Sequence, residues 1–496
     1  MEYLGEHLLP GQLGRFFVAL AFSAALTSAL AYFYFLGKND RALHKVARGA
    51  FLVHTTAVVG IVATLFYLLL SHYFEYDYVW KHSSLDLPMR YVFSAFWEGQ
   101  EGSFILWLFW HVVLGCILMF TAGKWEAPAM IVFALVQGFL ASMILGVYPL
   151  DLKIGSSPFV LLRELPENIG LPWTQVPDYL ERFPAFMDGS GLNPLLQNYW
   201  MTIHPPTLFL GFASTLVPFA FALAGLFNRD YTGWIKPALP WTFFSVGILG
   251  LGILMGGAWA YEALSFGGFW AWDPVENSSL VPWLTMVATA HLLLIYQARK
   301  TGLSYAFFMA LLTFLLILYS TFLTRSGVLG DSSVHAFVDL GMSGQLLIYL
   351  LFFTLIAFGM LVYRFRKLPR SKTEDDLSSR EFWMFIGSLT LLISAFQIIF
   401  STSIPVLNQL FGPEGHWALL KEEMAPPLDP IAHYNSFQVP FAIIITVLIA
   451  VGQLMRYKKT PGKVLWRDLQ WPLMAAAVIT AALAQRYGFW SEPIWL

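Results

Sequence analysis

Apolar residues fall into twelve long windows: 13–36, 49–72, 103–122, 127–147, 205–227, 239–260, 281–298, 303–324, 344–364, 381–404, 437–456 and 471–486. Each is close to the run of about 20 apolar residues that a hydrocarbon core of about 30 Å demands. Backbone polar groups in lipid must be satisfied within one segment, so such runs predict helices. The pattern predicts an all-α polytopic membrane protein, a single transmembrane domain over residues 1–496 with about twelve spans. The first window is long enough to span and 1–14 lacks a basic start, so no cleavable signal peptide is expected.

The polar positions between the windows are not alike. Of 29 Lys and Arg, 20 fall in alternate connections, among them Lys38, Arg41, Lys124, Arg229, Arg299, Lys300, Arg366, Lys367, Lys458 and Lys459. Basic loops stay on the cytoplasmic side. Both termini are therefore expected outside, with the connections 73–102, 148–204, 325–343 and 405–436. These are longer and rich in Trp, Tyr and Pro, which makes the outer face the expected working surface. The cytoplasmic 365–380 reads as a solvated linker.

Composition narrows the class. The chain is 57% hydrophobic and 12% charged, with mean hydropathy +0.62. A formal net charge of −2 gives no field that would favour nucleic acid. Cys116 is the single cysteine, which excludes an internal disulfide or a CxxC redox pair and leaves packing as its expected role.

Between the sixth and seventh windows lies a run unlike the rest, 259–281. Trp259, Tyr261, Phe266, Phe269, Trp270 and Trp272 are interleaved with Gly267-Gly268 and followed by Asp273-Pro274-Val275-Glu276. Flat side chains in a connection between two hydrophobic helices form a platform for a flat apolar ligand. Asp273 as cap, Pro274 in the first turn and Glu276 three residues after the cap also read as an ordinary helix start.

Imidazole is the usual nitrogen ligand of haem iron, so the eleven histidines bear on which ligand. His204, in Ile203-His204-Pro205-Pro206, sits at the outer mouth of the fifth window. It reads either as a ligand stiffened by two prolines or as a residue of a helix start. His335, in the loop 325–343, reads either as a ligand or as part of a short interfacial helix capped by Asp331. His291 and His111 lie near mid-membrane, where an ionisable group defaults to a functional hypothesis. Arg325 is the outer residue fitted to pair a carboxylate such as a haem propionate.

Several of these segments recur together in one known family. Gly267-Gly268-Phe269-Trp270-Ala271-Trp272-Asp273-Pro274-Val275-Glu276-Asn277 resembles the tryptophan-rich WWD signature of haem-handling membrane proteins. Leu192-Asn193-Pro194-Leu195-Leu196-Gln197, His204-Pro205-Pro206, Gly257-Ala258-Trp259-Ala260-Tyr261, Thr324-Arg325-Ser326-Gly327-Val328-Leu329 and Ser333-Val334-His335-Ala336-Phe337 follow the same family in order. So do Gln100-Glu101-Gly102-Ser103 and Leu106-Trp107. The sequence resembles the CcmF-type cytochrome c haem lyases over about 75–440.

The resemblance implies cytochrome c maturation in a bacterial inner membrane. Haem comes from the chaperone CcmE. Its vinyls are joined on the outer face to the Cys-x-x-Cys-His motif of apocytochrome c, which CcmH/CcmI-type subunits present. It implies that His204 and His335 ligate the incoming haem, that His291 is an axial ligand of a resident haem b, and that Trp270, Trp272 and Asp273 belong to the platform. The sequence departs from the pattern in two places. Phe266 stands where the signature's first Trp is usual, and no histidine follows His433 to match the family's second b-haem ligand. His111 is the substitute the sequence offers. The alternative is a membrane haem transporter without ligation activity, which would be expected to carry broken helices and paired polar groups at mid-membrane.

Overall fold

The computed structural model describes residues 3–263, 268–330, 333, 340–369 and 376–488. Among the described residues twelve long helices follow one another: α1 Leu8–Lys38, α2 Arg41–Leu70, α3 Gln100–Thr121, α4 Glu126–Ser142, α5 Tyr199–Asn228, α6 Ile235–Ala263, α7 Pro274–Arg299, α8 Leu303–Arg325, α9 Ser343–Phe365, α10 Arg380–Thr402, α11 Pro430–Gly452 and α12 Gly462–Tyr487. Among the described residues β-structure is limited to two isolated bridges, Tyr76 with Leu161 and Val147 with Ile154. The chain is an integral, all-α membrane protein.

Local chemistry sets the helix ends. Asn39 takes a left-handed conformation (φ 50°) that stops α1, and the carboxylate of Asp40 accepts from Ala42 N at 2.8 Å to start α2. Asp429 caps α11 in the same way, accepting from Ala432 N at 2.9 Å. Antiparallel α1 and α2 pack together, α1 also on α4 and α2 on α3, α7 packs on α8 and α10, and α5 lies against α6.

Eleven of the twelve helices are long and apolar enough to cross a membrane among the described residues. α12 forms where the twelfth window predicts it, but Arg467, Asp468 and Arg486 dilute its apolar content, and it falls short of the other eleven.

The fifth helix begins earlier than the sequence predicts. Asn198 caps it, accepting from Trp200 N at 2.9 Å, so Pro205 and Pro206 lie inside the helix, two turns from its start. Proline has no N–H, so Pro205 leaves the Met201 carbonyl without its helical donor. The indole of Trp97 fills that role, donating Nε1–H to Met201 O at 2.9 Å. This hydrogen bond ties the Met89–Glu98 helix to the turn that carries His204.

Candidate functional site

A cavity of about 620 Å³ opens at one end of the bundle, inside the range of about 300–1,000 Å³ usual for cofactor-sized ligands. The first turns of α3, α5 and α7, the last turns of α6 and α8, and the Asp77–His82 helix before α3 enclose it.

His204 is set on its wall by close helix packing. A Cβ on Gly211 would lie 2.7 Å from the Cα of Leu249, and one on Gly252 would lie 2.9 Å from the Cα of Leu208. The absence of both side chains lets the α5 and α6 backbones approach, as small residues do at membrane helix interfaces. The approach brings Gly252 O to 2.9 Å from His204 Nδ1. A carbonyl only accepts, so Nδ1 carries the proton and Nε2 of the neutral ring keeps its lone pair. Metal-binding histidines are fixed in this way. Gly256 clears the other side of the ring: a Cβ there would lie 2.8 Å from Cε1.

The aromatic run divides. Trp259 lines the cavity with its ring centroid 5.9 Å from that of His204, and Trp270 lines it as well. The indole Nε1 of each is buried without a hydrogen-bond partner among the described residues. Trp272 turns away. Its ring stacks on Tyr434 at 5.1 Å, and its Nε1–H goes to Asn435 Oδ1 at 2.9 Å, so it anchors the run to α11 instead of lining the cavity. Its backbone is left-handed (φ 58°), and Asn277 Nδ2 donates to its carbonyl at 3.0 Å. The two indoles meet edge to face, ring centroids 5.8 Å apart, with Trp270 on the cavity side and Trp272 behind it.

Asp273 acts as the helix start predicts. It accepts from Val275 N at 2.8 Å, while Glu276 Oε2 reaches back to Asp273 N and Ala271 N, both at 3.0 Å. Asp273 also receives the Ser333 hydroxyl at 2.9 Å, which ties the loop after α8 to the aromatic run. Arg325 is buried on the cavity wall with its guanidinium over Phe104 (5.2 Å) and Phe209 (5.8 Å). Gly268 lies in a bend of the run. His335, Phe266 and Gly267 lie outside the described residues.

The wall contributed by the segment before α3 and by the first turn of α3 holds groups that the sequence leaves without a role: Asp77, Lys81, His82, Glu98 and Glu101. Burial pushes the Glu98 carboxyl up to about 8, and its Oε2 has no hydrogen-bond partner among the described residues. Burial also raises the Asp77 carboxyl, against the pull of Lys81 Nζ at 2.8 Å. Glu101 accepts from Ser156 at 2.6 Å. No spacing in the sequence marks this cluster, because its members come together only when the connection folds back over α3.

His291 lies on the half-exposed side of α7, and its Nδ1 donates to Val287 O at 2.8 Å, again leaving Nε2 with the lone pair. His111 is fully buried, its ring 5.7 Å from Trp107 and 6.0 Å from Phe133. Among the described residues, α3 packs on α2, α4 and α5, whereas α7 packs on α6, α8 and α10. His111 and His291 thus belong to different interfaces.

Residues 97–329 match the model of the cytochrome C assembly protein family. Over 481 residues the chain is 31% identical to the cytochrome c-type biogenesis protein CcmF of Pseudomonas fluorescens and 32% identical to that of Pseudomonas aeruginosa, covering 96% of this chain and 67% of each relative. Identity to the Escherichia coli protein of the same name is 30%, over 91% of this chain and 65% of that one. The chain thus spans about two thirds of the length of these relatives. A solved structure described as cytochrome c heme lyase CcmF superimposes with TM-score 0.71 and 26% identity, over 97% of this chain and 67% of that one.

Proposed function

Because this chain belongs to the CcmF family of cytochrome c-type biogenesis proteins, we propose that its cavity receives haem and holds the vinyl edge against the Cys-x-x-Cys-His segment of apocytochrome c. The His204 imidazole carries the proposal: its Nδ1 proton is held by Gly252 and its Nε2 lone pair is left for iron, on the wall of a haem-sized cavity beside Trp259 and Trp270. His335 supplies the second ligand from the loop that Ser333 ties to Asp273. Arg325 pairs a propionate, its guanidinium already desolvated against two aromatic rings.

The reaction adds a thiol across a vinyl group. A sulfur–carbon bond forms at the carbon next to the ring, the carbon–carbon π bond breaks, and the thiol proton ends on the terminal carbon. The nucleophile belongs to the substrate, so the chain needs no reactive cysteine. It contributes position: aligned reactants lower a barrier by up to about 7–11 kcal/mol. The working face is extracytoplasmic in a bacterial inner membrane. CcmE hands over the haem, and CcmH/CcmI-type subunits present the apocytochrome.

His291 would hold the iron of a resident haem b, since its ring is pinned by Val287 and its Nε2 is left as acceptor. Such a haem would supply electrons that keep incoming iron ferrous.

Hemin titration of the purified protein tests the reading. His204→Ala is expected to lose the low-spin haem signature of the cavity and cytochrome c maturation. His291→Ala is expected to lose only the b-type band of the reduced-minus-oxidised spectrum. A His204→Ala protein that still binds hemin in a low-spin state and matures cytochrome c overturns the assignment.

A further inference from the structure

The cavity wall formed by the segment before α3 carries a second imidazole prepared as His204 is. His82 Nδ1 lies 2.7 Å from Tyr78 O, so Nδ1 holds the proton and Nε2 keeps its lone pair. The ring packs against Tyr78 at 4.3 Å, which fixes its plane. Gly99 leaves Nε2 uncovered: a Cβ there would lie 2.9 Å from it. His82 and His204 thus line one cavity, each locked by a backbone carbonyl and each beside a glycine whose missing side chain clears the ring.

A histidine buried only for packing has no need of this arrangement. Nε2 of His82 has no hydrogen-bond partner among the described residues, and the cavity is where it finds one. A haem iron is the acceptor of lone pairs that the proposed function already brings there. We infer that His82 is a further ligand for the iron of haem in this cavity, alternative to the loop histidine His335. The inference rests on the proposed function. It adds a coordination position supplied by the rigid segment before α3. A haem has six coordination sites, four of them taken by the porphyrin, so His204, His82 and His335 cannot all bind one iron.

Absorption and electron paramagnetic resonance spectra of the full chain titrated with hemin test this. His335→Ala is expected to stay six-coordinate and low-spin. His82→Ala combined with His335→Ala is expected to become five-coordinate and high-spin, and added imidazole should restore the low-spin spectrum. His82→Met combined with His335→Ala should acquire the sulfur-to-iron charge-transfer band of a His/Met haem, a signature that lost packing cannot produce. A His335→Ala protein that is already high-spin overturns the inference, as does a His82→Met/His335→Ala protein without that band. Hemin binding that depends on His204 but ignores His82 overturns this inference alone. Binding that ignores His204 overturns the proposed function as well.

Discussion

Trp270 and Trp272 stand two positions apart and do different work. Trp270 faces the cavity with a buried indole N–H that has no partner among the described residues, while Trp272 donates to Asn435 and stacks on Tyr434. Trp270→Phe keeps an apolar ring and is expected to weaken hemin binding with little change in thermal unfolding. Trp272→Phe loses the hydrogen bond to α11 and is expected to lower stability by about 1 kcal/mol, with hemin affinity less affected. Equal losses of affinity in the two variants would contradict the division. Glu98 gives a pH test at the same scale. Burial holds its carboxyl at about 8 in the folded protein, above the ordinary value. The folded state therefore keeps the proton that the unfolded chain releases. Its stability cost is absent below the ordinary carboxylate range, grows as pH rises, and is complete above about 8. Glu98→Gln removes a cost bounded at roughly 5 kcal/mol. The variant should be more stable than the parent at pH 9 and nearly equal to it at pH 4, as measured by thermal unfolding in detergent. A stability difference that does not change with pH would refute the assignment.

At the scale of the element, α7 begins on a cap that also fixes the neighbouring loop. Asp273 holds Val275 N and the Ser333 hydroxyl together. Asp273→Ala is expected to cost about 1 kcal/mol from the cap and to expose 325–343 to protease. Asp273→Asn, which keeps an acceptor, should recover most of both. This cap was legible in the sequence, because Asp-Pro-x-Glu is a local pattern read by local chemistry. The apolar windows were legible for the same reason: lipid demands one structure of a long apolar run. The start of α5 was not. Pro205-Pro206 suits a first turn, and only Trp97, more than a hundred residues away, supplies the donor that lets the helix continue through them. The direction of Trp272 was hidden too. It follows from a left-handed backbone and a partner on α11, and neither can be read from an aromatic count. His82 was among the eleven histidines but carried no signal, since its carbonyl partner is one turn back and its cavity is built by distant helices.

For the whole molecule, the open question is how α12 meets the membrane. The helix has 26 residues, about 39 Å at 1.5 Å per residue. Its apolar stretch, 471–484, covers only 14 positions and includes Thr480, with Arg467 and Asp468 before it and Arg486 after it. An apolar run of 10–14 residues is shorter than a span requires and suits an interfacial segment. Trp466 and Trp471 are both exposed near the start of the helix, as interfacial tryptophans are. Most side chains of α12 are exposed, and Ala484 is the one buried among the described residues. α12 is therefore expected to lie along the surface, with its two ends on one side. The single Cys116 makes the test direct. In a Cys116→Ala background, Lys463→Cys and Gly488→Cys can be labelled separately with a membrane-impermeant maleimide in intact and permeabilised cells. Both should react only after permeabilisation, together with Lys124→Cys. Labelling of Gly488→Cys in intact cells while Lys463→Cys stays protected would mean that α12 crosses, as the twelve-window pattern expected.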